Sequence, residues 1–329
     1  MRAGRLLSVG RFAVLDTPEP EPEPGEVLVR VAHAGICGTD RHLLKGEFPC
    51  RPPVTLGHEF SGEVVALGEG VSSHAIGDRV ACDPNIACGG CAACLMGRVN
   101  LCERLVAVGV GRDGGFGELC AFPAHRALHL PAGLSLRDAA LAEPLACCLH
   151  AIDIAAIQPG ERVLVLGGGV IGLLCVQLAR LAGGEVMLAT RSPHRRRIAE
   201  DLGAETVADA AEARAAWPKG ADCVLECAGV AETAREAPRL AARGGRAVIL
   251  GVMPAGETVS WEPFDWLFRE VSLRTAFLNP FTQGRALALL ASGAVRAGPL
   301  VTREIGLDEL PAVLSEVPGP SEVKVLVTA

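Results

Sequence analysis

Residues 162–172 read RVLVLGGGVIG. A strand-like run, Arg162–Leu166, enters Gly167-Gly168-Gly169-Val170-Ile171-Gly172, a match to G-x-G-x-x-G. In such a pattern Gly167 permits a tight turn. Gly169 lets the backbone approach a pyrophosphate, and Gly172 lets the next helix pack on the strand. The helix opening at Val170 and Ile171 then turns its positive dipole end toward phosphate. A bare glycine pattern is a weak signal, because an ordinary Gly-rich turn needs no ligand. Set between a strand and a helix, it predicts a dinucleotide-binding loop.

Outward from this stretch, strand and helix alternate. The pattern predicts helices over Ala146–Ile157, Val170–Ala182 and Pro193–Leu202, and strands over Arg162–Leu166, Val186–Thr190, Cys223–Glu226, Arg246–Leu250 and Val271–Phe277. A further helix lies between Cys223–Glu226 and Arg246–Leu250. Such alternation implies an α/β fold with a parallel, doubly wound sheet. Upstream the chain reads as β-rich, with strands over Glu26–Val31, Gly62–Leu67 and Asp78–Cys82. The tail carries a helix over Arg285–Ser292 and a closing strand over Lys324–Thr328. The expected layout is a β-rich domain formed by residues 1–145 and 277–329, with a nucleotide-binding domain, 146–276, inserted between them.

Composition narrows the partners. Of 329 residues half are hydrophobic, enough for two cored domains. The net charge of −7 argues against nucleic acid and anionic membrane surfaces. No leader-like segment or membrane-length apolar run is present, so a cytoplasmic location is expected. There the 13 cysteines read as thiols and metal ligands, not disulfides.

The second nucleotide-domain strand ends at Thr190-Arg191-Ser192. A site for NAD(H) usually places Asp or Glu near this strand end to hold the ribose 2′-hydroxyl. Here Arg191 stands instead, followed by Arg195, Arg196 and Arg197. Cationic and hydroxyl donors suit a 2′-phosphate, so NADP(H) is favoured over NAD(H). A solvated helix face is the plainer reading of the same arginines.

Two clusters read as metal sites. Cys88, Cys91, Cys94 and Cys102 are spaced C-x2-C-x2-C-x7-C. Four thiolates from one loop can enclose a Zn2+ tetrahedrally, and a closed site of this kind is structural. More scattered are Cys37 in GICGTD, His58 and Glu59 in GHEFSG, and Glu143 in AEPL. A thiolate, an imidazole and one or two carboxylates suit a Zn2+ that keeps an open position. Singly, each also reads as a core thiol, a core histidine or a helix-start carboxylate.

With these motifs in this order, the chain resembles the zinc-containing medium-chain alcohol dehydrogenases, within the group of polyol (sorbitol-type) and threonine dehydrogenases. The resemblance spans essentially the whole length. It implies a GroES-like β-rich catalytic domain beside a Rossmann domain, with two Zn2+ per chain. It implies Cys37 and His58 as catalytic-zinc ligands, Glu59 as a ligand or exchangeable near-ligand, and Glu143 as a ligand or a holder of the metal's water. Asp40 corresponds to the acid that orients the ligand histidine. Thr39 and His42 match the proton-relay positions, although His42 equally reads as a surface histidine. The implied reaction is hydride transfer between an alcohol carbon and nicotinamide, with zinc as Lewis acid. The segment Thr275–Asn279 lacks the Arg with which sorbitol-type members grip polyol hydroxyls. A secondary alcohol on a polyol- or sugar-type small molecule is the first expectation, with a threonine-type or simple alcohol activity as the alternative. Phe48, Phe116 and Phe277 are candidates for an apolar pocket wall, or for ordinary core positions. From other classes, a non-catalytic cofactor-sensing zinc protein would be expected to have lost Cys37, His58 or Thr39, and a zinc-free reductase would lack both clusters. Association through the strand Val271–Phe277, as a dimer or tetramer, is implied by the resemblance.

Overall fold

A ten-residue strand, Glu26–Gly35, is the spine of the amino-terminal half in the computed structural model, which describes residues 1–329. Its alternating apolar residues Val27, Val29 and Val31 point into a core with Leu6, Phe60, Phe116 and Phe122. Phe60 and Phe122 meet edge to face at 5.4 Å. The spine pairs antiparallel with Glu59–Leu67 and with Leu119–Pro123. At Ala34 and Gly35 it also pairs with the closing strand Lys324–Thr328, which runs parallel to Val301–Gly306. Strands from the amino-terminal half and the closing segment therefore build one sheet.

The parallel sheet has six strands. Across it they run Glu205–Val207, Glu185–Ala189, Arg162–Leu166, Ala221–Glu226, Ala241–Ile249, Ser272–Thr275. Numbered along the chain this is 3-2-1-4-5-6, the doubly wound order whose ligand crevice lies where strand order reverses. Alternation along Arg162–Leu166 feeds two cores. Val163 and Val165 pack with Leu145, Leu149, Leu173 and Leu287 from helices on one face. Leu164 and Leu166 pack with Ala213, Ala237 and Leu240 from helices on the other.

The observed elements refine the sequence expectations. The helix expected from Ala146 begins at Ala142, with Pro144 inside its first turn. First-turn N–H groups need no helical partner, so proline is no barrier there. The strand expected over Val271–Phe277 is limited to Ser272–Thr275. Several elements went unread, among them the hairpin Arg2–Ser8 with Arg11–Asp16, the helices Gly38–Lys45, Ala210–Ala216, Pro263–Arg269 and Leu310–Ser315, and the strands Leu119–Pro123, Glu205–Val207 and Val301–Gly306. In the hairpin Gly4 belongs to a strand because Phe12 packs where a Cβ would stand, 2.8 Å from its ring tip.

The glycine pattern has a physical basis at each position. Gly167 has φ +102°, a left-handed value that L side chains rarely adopt. Around Gly169, the residue capping the helix, a Cβ would meet nothing within 4 Å, so that side is open to a ligand. A Cβ at Gly172 would fall 1.8 Å from the Gly167 carbonyl oxygen. Gly172→Ala is therefore expected to cost about 1–3 kcal/mol and to lower the calorimetric melting temperature of this half; an unchanged melting temperature would contradict the close approach.

Candidate active site and metal centres

The scattered set is assembled by strand pairing. Gly35 lies opposite Glu59, and the chain beyond Gly35 carries Cys37 to the amino end of the helix Gly38–Lys45. His58 directly precedes the strand that Glu59 opens. One ligand atom from each of Cys37, His58 and Glu59 lies within 4.8 Å of the other two. His58 and Glu59 are buried and Cys37 is half-buried. Three nearby buried atoms lack a hydrogen-bond partner: Asp40 Oδ1, His58 Nδ1 and Glu59 Oε2. Buried polar atoms are normally satisfied, and this cluster of soft and hard anionic donors fits a divalent metal such as zinc.

Asp40 is fully buried, accepts from the Cys37 backbone N–H at 2.8 Å, and sits 3.6 Å from His58 Nδ1. It thus holds the backbone at Cys37 and faces the ring of His58 as a nearby charge. Burial alone would lower the His58 pKa, but Asp40 and the Cys37 thiol raise it well above the ordinary histidine value. The site holds positive charge well, and a metal would displace that proton.

Glu143 stands apart from the tight trio. It is buried in the first turn of Ala142–Ala155 and accepts from Cys147 Sγ at 3.3 Å. Burial, with Glu59 adding repulsion against the pull of His58, raises its pKa to about 7. It can therefore hold or release a proton near neutrality. Thr39 Oγ1 is 3.6 Å from Cys37 Sγ, at the edge of the cluster. His42, one turn further along the same helix, pairs through Nδ1 with Glu47 at 2.6 Å.

Sequence reading missed Lys324. It opens the closing strand, is 1% exposed, donates to the Ile36 carbonyl at 2.9 Å, and is ion-paired with Glu59. Burial alone would lower its pKa, but Glu59, Cys37 and Asp40 raise it, so the ammonium stays charged. The available signal was a lysine at the head of the apolar run KVLVT.

The four cysteines come together as their spacing predicts, with all four sulfurs within 4.8 Å of one another. A two-stranded ribbon, Asn85–Ile86 against Val106–Ala107, clamps the ends of their loop. Backbone N–H groups of Cys88 and Arg104 point at Cys102 Sγ at 3.2 and 3.3 Å. Donation from Gly90 and Cys91 backbone N–H groups brings the Cys88 pKa down to about 6. The lobe exposes Leu95, Met96 and Leu101, so it has little apolar core to hold its shape without a metal.

At the coenzyme crevice, Gly167 abuts Ala228 across the switch point between Arg162–Leu166 and Ala221–Glu226. The buried Thr190 packs on Gly168. Arg191 is exposed and enters no ion pair. Ser192 caps the helix Pro193–Asp201, accepting from Arg195 N–H at 3.3 Å and donating to the Pro320 carbonyl at 2.6 Å. Arg195 donates to the carbonyls of Gly319 and Glu322, and Arg196 to that of Thr190. Of the four arginines, Arg195 and Arg196 are engaged by backbone carbonyls, while Arg191 and Arg197 are exposed and uncommitted. The Phe48, Phe116 and Phe277 readings separate too. Phe116 is fully buried under Gly57, Phe48 packs on the amino-terminal core, and Phe277 is exposed.

Comparison with known proteins shows the family. Residues 23–132 match the family model "Alcohol dehydrogenase GroES-like domain", and residues 170–292 match "Zinc-binding dehydrogenase". A sorbitol dehydrogenase of Halalkalibacterium halodurans is 36% identical, over 97% of this chain and 96% of its own. A D-altritol 5-dehydrogenase of Agrobacterium fabrum is 34% identical, over 99% and 98%. Among solved structures, a putative zinc-binding dehydrogenase from Sinorhizobium meliloti 1021, bound to NADP, is 51% identical. It superposes with a TM-score of 0.97 over 100% of this chain and 99% of its own.

Cys94→Ser is expected to lose the metal of the four-cysteine lobe and to open residues 88–105 to limited proteolysis, while the parallel-sheet half stays protected. A metal-free lobe that still resists protease would contradict a loop held by metal.

Proposed function

The chain belongs to the zinc-containing medium-chain dehydrogenase family, and from that premise we propose that it oxidises a secondary hydroxyl of a polyol- or sugar-type alcohol with NADP+. It is a zinc- and nicotinamide-dependent oxidoreductase acting on a small molecule. The observation that carries the reading is the convergence of a thiol, an imidazole and a carboxylate at Cys37, His58 and Glu59 beside Thr39. The sorbitol and altritol dehydrogenases, alike over nearly their whole lengths, support the polyol class.

Cys37 and His58 would hold the catalytic zinc with Glu59 as an exchangeable ligand, and Cys88, Cys91, Cys94 and Cys102 a second, structural one. Bound there, zinc supplies Lewis acidity at the alcohol oxygen, and the nicotinamide supplies the hydride acceptor. The residues of the chain do the rest. Asp40 fixes the ring of His58. Thr39 Oγ1 would accept the hydroxyl proton while giving up its own, and His42, backed by Glu47, would carry the released proton toward solvent. Glu143, poised near neutrality, holds water or a proton beside the trio. Gly167, Gly169 and Gly172 seat the pyrophosphate against the helix opening at Val170 and Ile171.

Preference for NADP(H) rests on Arg191, on the missing acid at that strand end, and on the NADP of the Sinorhizobium relative. Thr190 and Ser192 shape this turn, while Arg195 and Arg196 brace it. The two catalytic-domain segments, 1–145 and 277–329, would flank a Rossmann domain of 146–276. Pairing of two chains through the edge strand Ser272–Thr275 is favoured by its free side and by the exposed Phe264, Leu267 and Phe268 on the adjoining helix. No helix is long and apolar enough to cross a membrane.

Cys37→Ala is expected to lower alcohol oxidation by roughly a thousandfold or more, with NADP(H) binding by fluorescence titration nearly intact. Normal turnover in that variant would exclude the metal mechanism. Arg191→Ala is expected to weaken NADP(H) by ~10–100-fold and NAD(H) little. Equal losses for both coenzymes would remove the basis for the preference. A coenzyme-linked screen of polyols, aldoses, threonine and simple alcohols tests the substrate class.

A further inference from the structure

Lys324 is a fully buried cation with no place in the reaction as described. Its ammonium reaches the candidate metal centre from the far end of the chain, between two ligand-bearing segments. It donates to the carbonyl of Ile36, the residue before Cys37, and lies against Oε2 of Glu59. The Glu59 oxygen meets it as an ion pair but accepts no aligned hydrogen bond. Space for the pair is provided by Gly35. A Cβ there would fall 2.3 Å from Glu59 Oε2 and 3.0 Å from Lys324 Cε. The three residues thus form a unit: a glycine that leaves room, a carboxylate, and a buried counter-cation.

The carboxylate of Glu59 has two possible cationic partners, the ammonium on the sheet side and a metal on the side of Cys37 and His58. We propose that Lys324 is a positioning residue that holds Glu59 back from the metal, making Glu59 an exchangeable ligand and keeping a coordination position open. A buried carboxylate deprived of one cation is costly and takes the other. Without Lys324, Glu59 becomes a fixed ligand, and a closed site binds metal firmly but catalyses poorly. A lysine that merely filled space would have the opposite signature, since its loss would loosen the site and release metal faster. The proposal rests on the reading of Cys37, His58 and Glu59 as a zinc site.

The test uses zinc-loaded holoenzyme and a chromogenic chelator. The release phase of the catalytic centre is the one absent from Cys37→Ala. Lys324→Met is expected to release that zinc about tenfold more slowly, with kcat about tenfold or more lower and KM moved less. Lys324→Arg should restore the release rate. Faster or unchanged release in folded Lys324→Met would overturn the proposal. If Lys324→Met does not fold, Glu59→Gln and the double variant Lys324→Met/Glu59→Gln decide, because both remove the carboxylate charge. Equal release rates in these two support action through Glu59, and unequal rates overturn it. If wild-type protein shows no release phase that depends on Cys37, the zinc reading itself fails, a result distinct from failure of the role of Lys324.

Discussion

Strand pairing at Gly35 is the constraint on which the candidate centre depends. This one residue lies opposite Glu59 on one side and Leu326 on the other. Because register is fixed by which face of the sheet is buried, the same pairings that bury Val27, Val29 and Val31 also bring Glu59 and Lys324 together beside Cys37. The site is thus a consequence of how the closing segment joins the sheet of the amino-terminal half. The cost is a concentration of buried charge, met in part by Lys324 against Glu59 and by Asp40 against His58. The thiol, imidazole and carboxylate gathered there are the donor set that suits a divalent metal.

The two candidate metal centres differ in how each is assembled. The four-cysteine lobe is local: its ligands lie in one loop clamped by a short ribbon, and it has little core beyond the metal. The trio is non-local, drawn from a helix start and a strand start on opposite sides of a pairing. A local, closed site gives shape. A non-local site with a mixed ligand set and nearby proton carriers can do chemistry. The glycine loop keeps an open side at Gly169, at the crevice of the parallel sheet.

Much of this was legible in the sequence, for physical reasons. Long apolar strands alternating with helices gave the parallel sheet, and Gly167, Gly169 and Gly172 each answer to a turn, an open face or a close contact. Short elements were not legible. Glu205–Val207 is three half-exposed residues at a sheet edge, and Arg2–Ser8 is interrupted by a glycine whose purpose is to seat Phe12. Capping detail moved the start of the helix at Ala142, because Pro144 fits a first turn. The cysteine lobe could be read from spacing alone, whereas Cys37, His58 and Glu59 needed the resemblance to be grouped. Lys324 was invisible because its partner Glu59 is distant in sequence and nothing local requires a cation. Arg195 and Arg196 looked like free phosphate ligands until the structure showed their guanidinium groups engaged by backbone carbonyls.

The central claim is that the reactive metal belongs to the scattered trio and not to the conspicuous cysteine cluster. The most direct measurement is anomalous diffraction at the zinc edge from crystals of the intact chain. The account predicts two peaks per chain, one enclosed by Cys88, Cys91, Cys94 and Cys102 and one between Cys37, His58 and Glu59. A single peak at the four cysteines, from protein that oxidises alcohols, would contradict it.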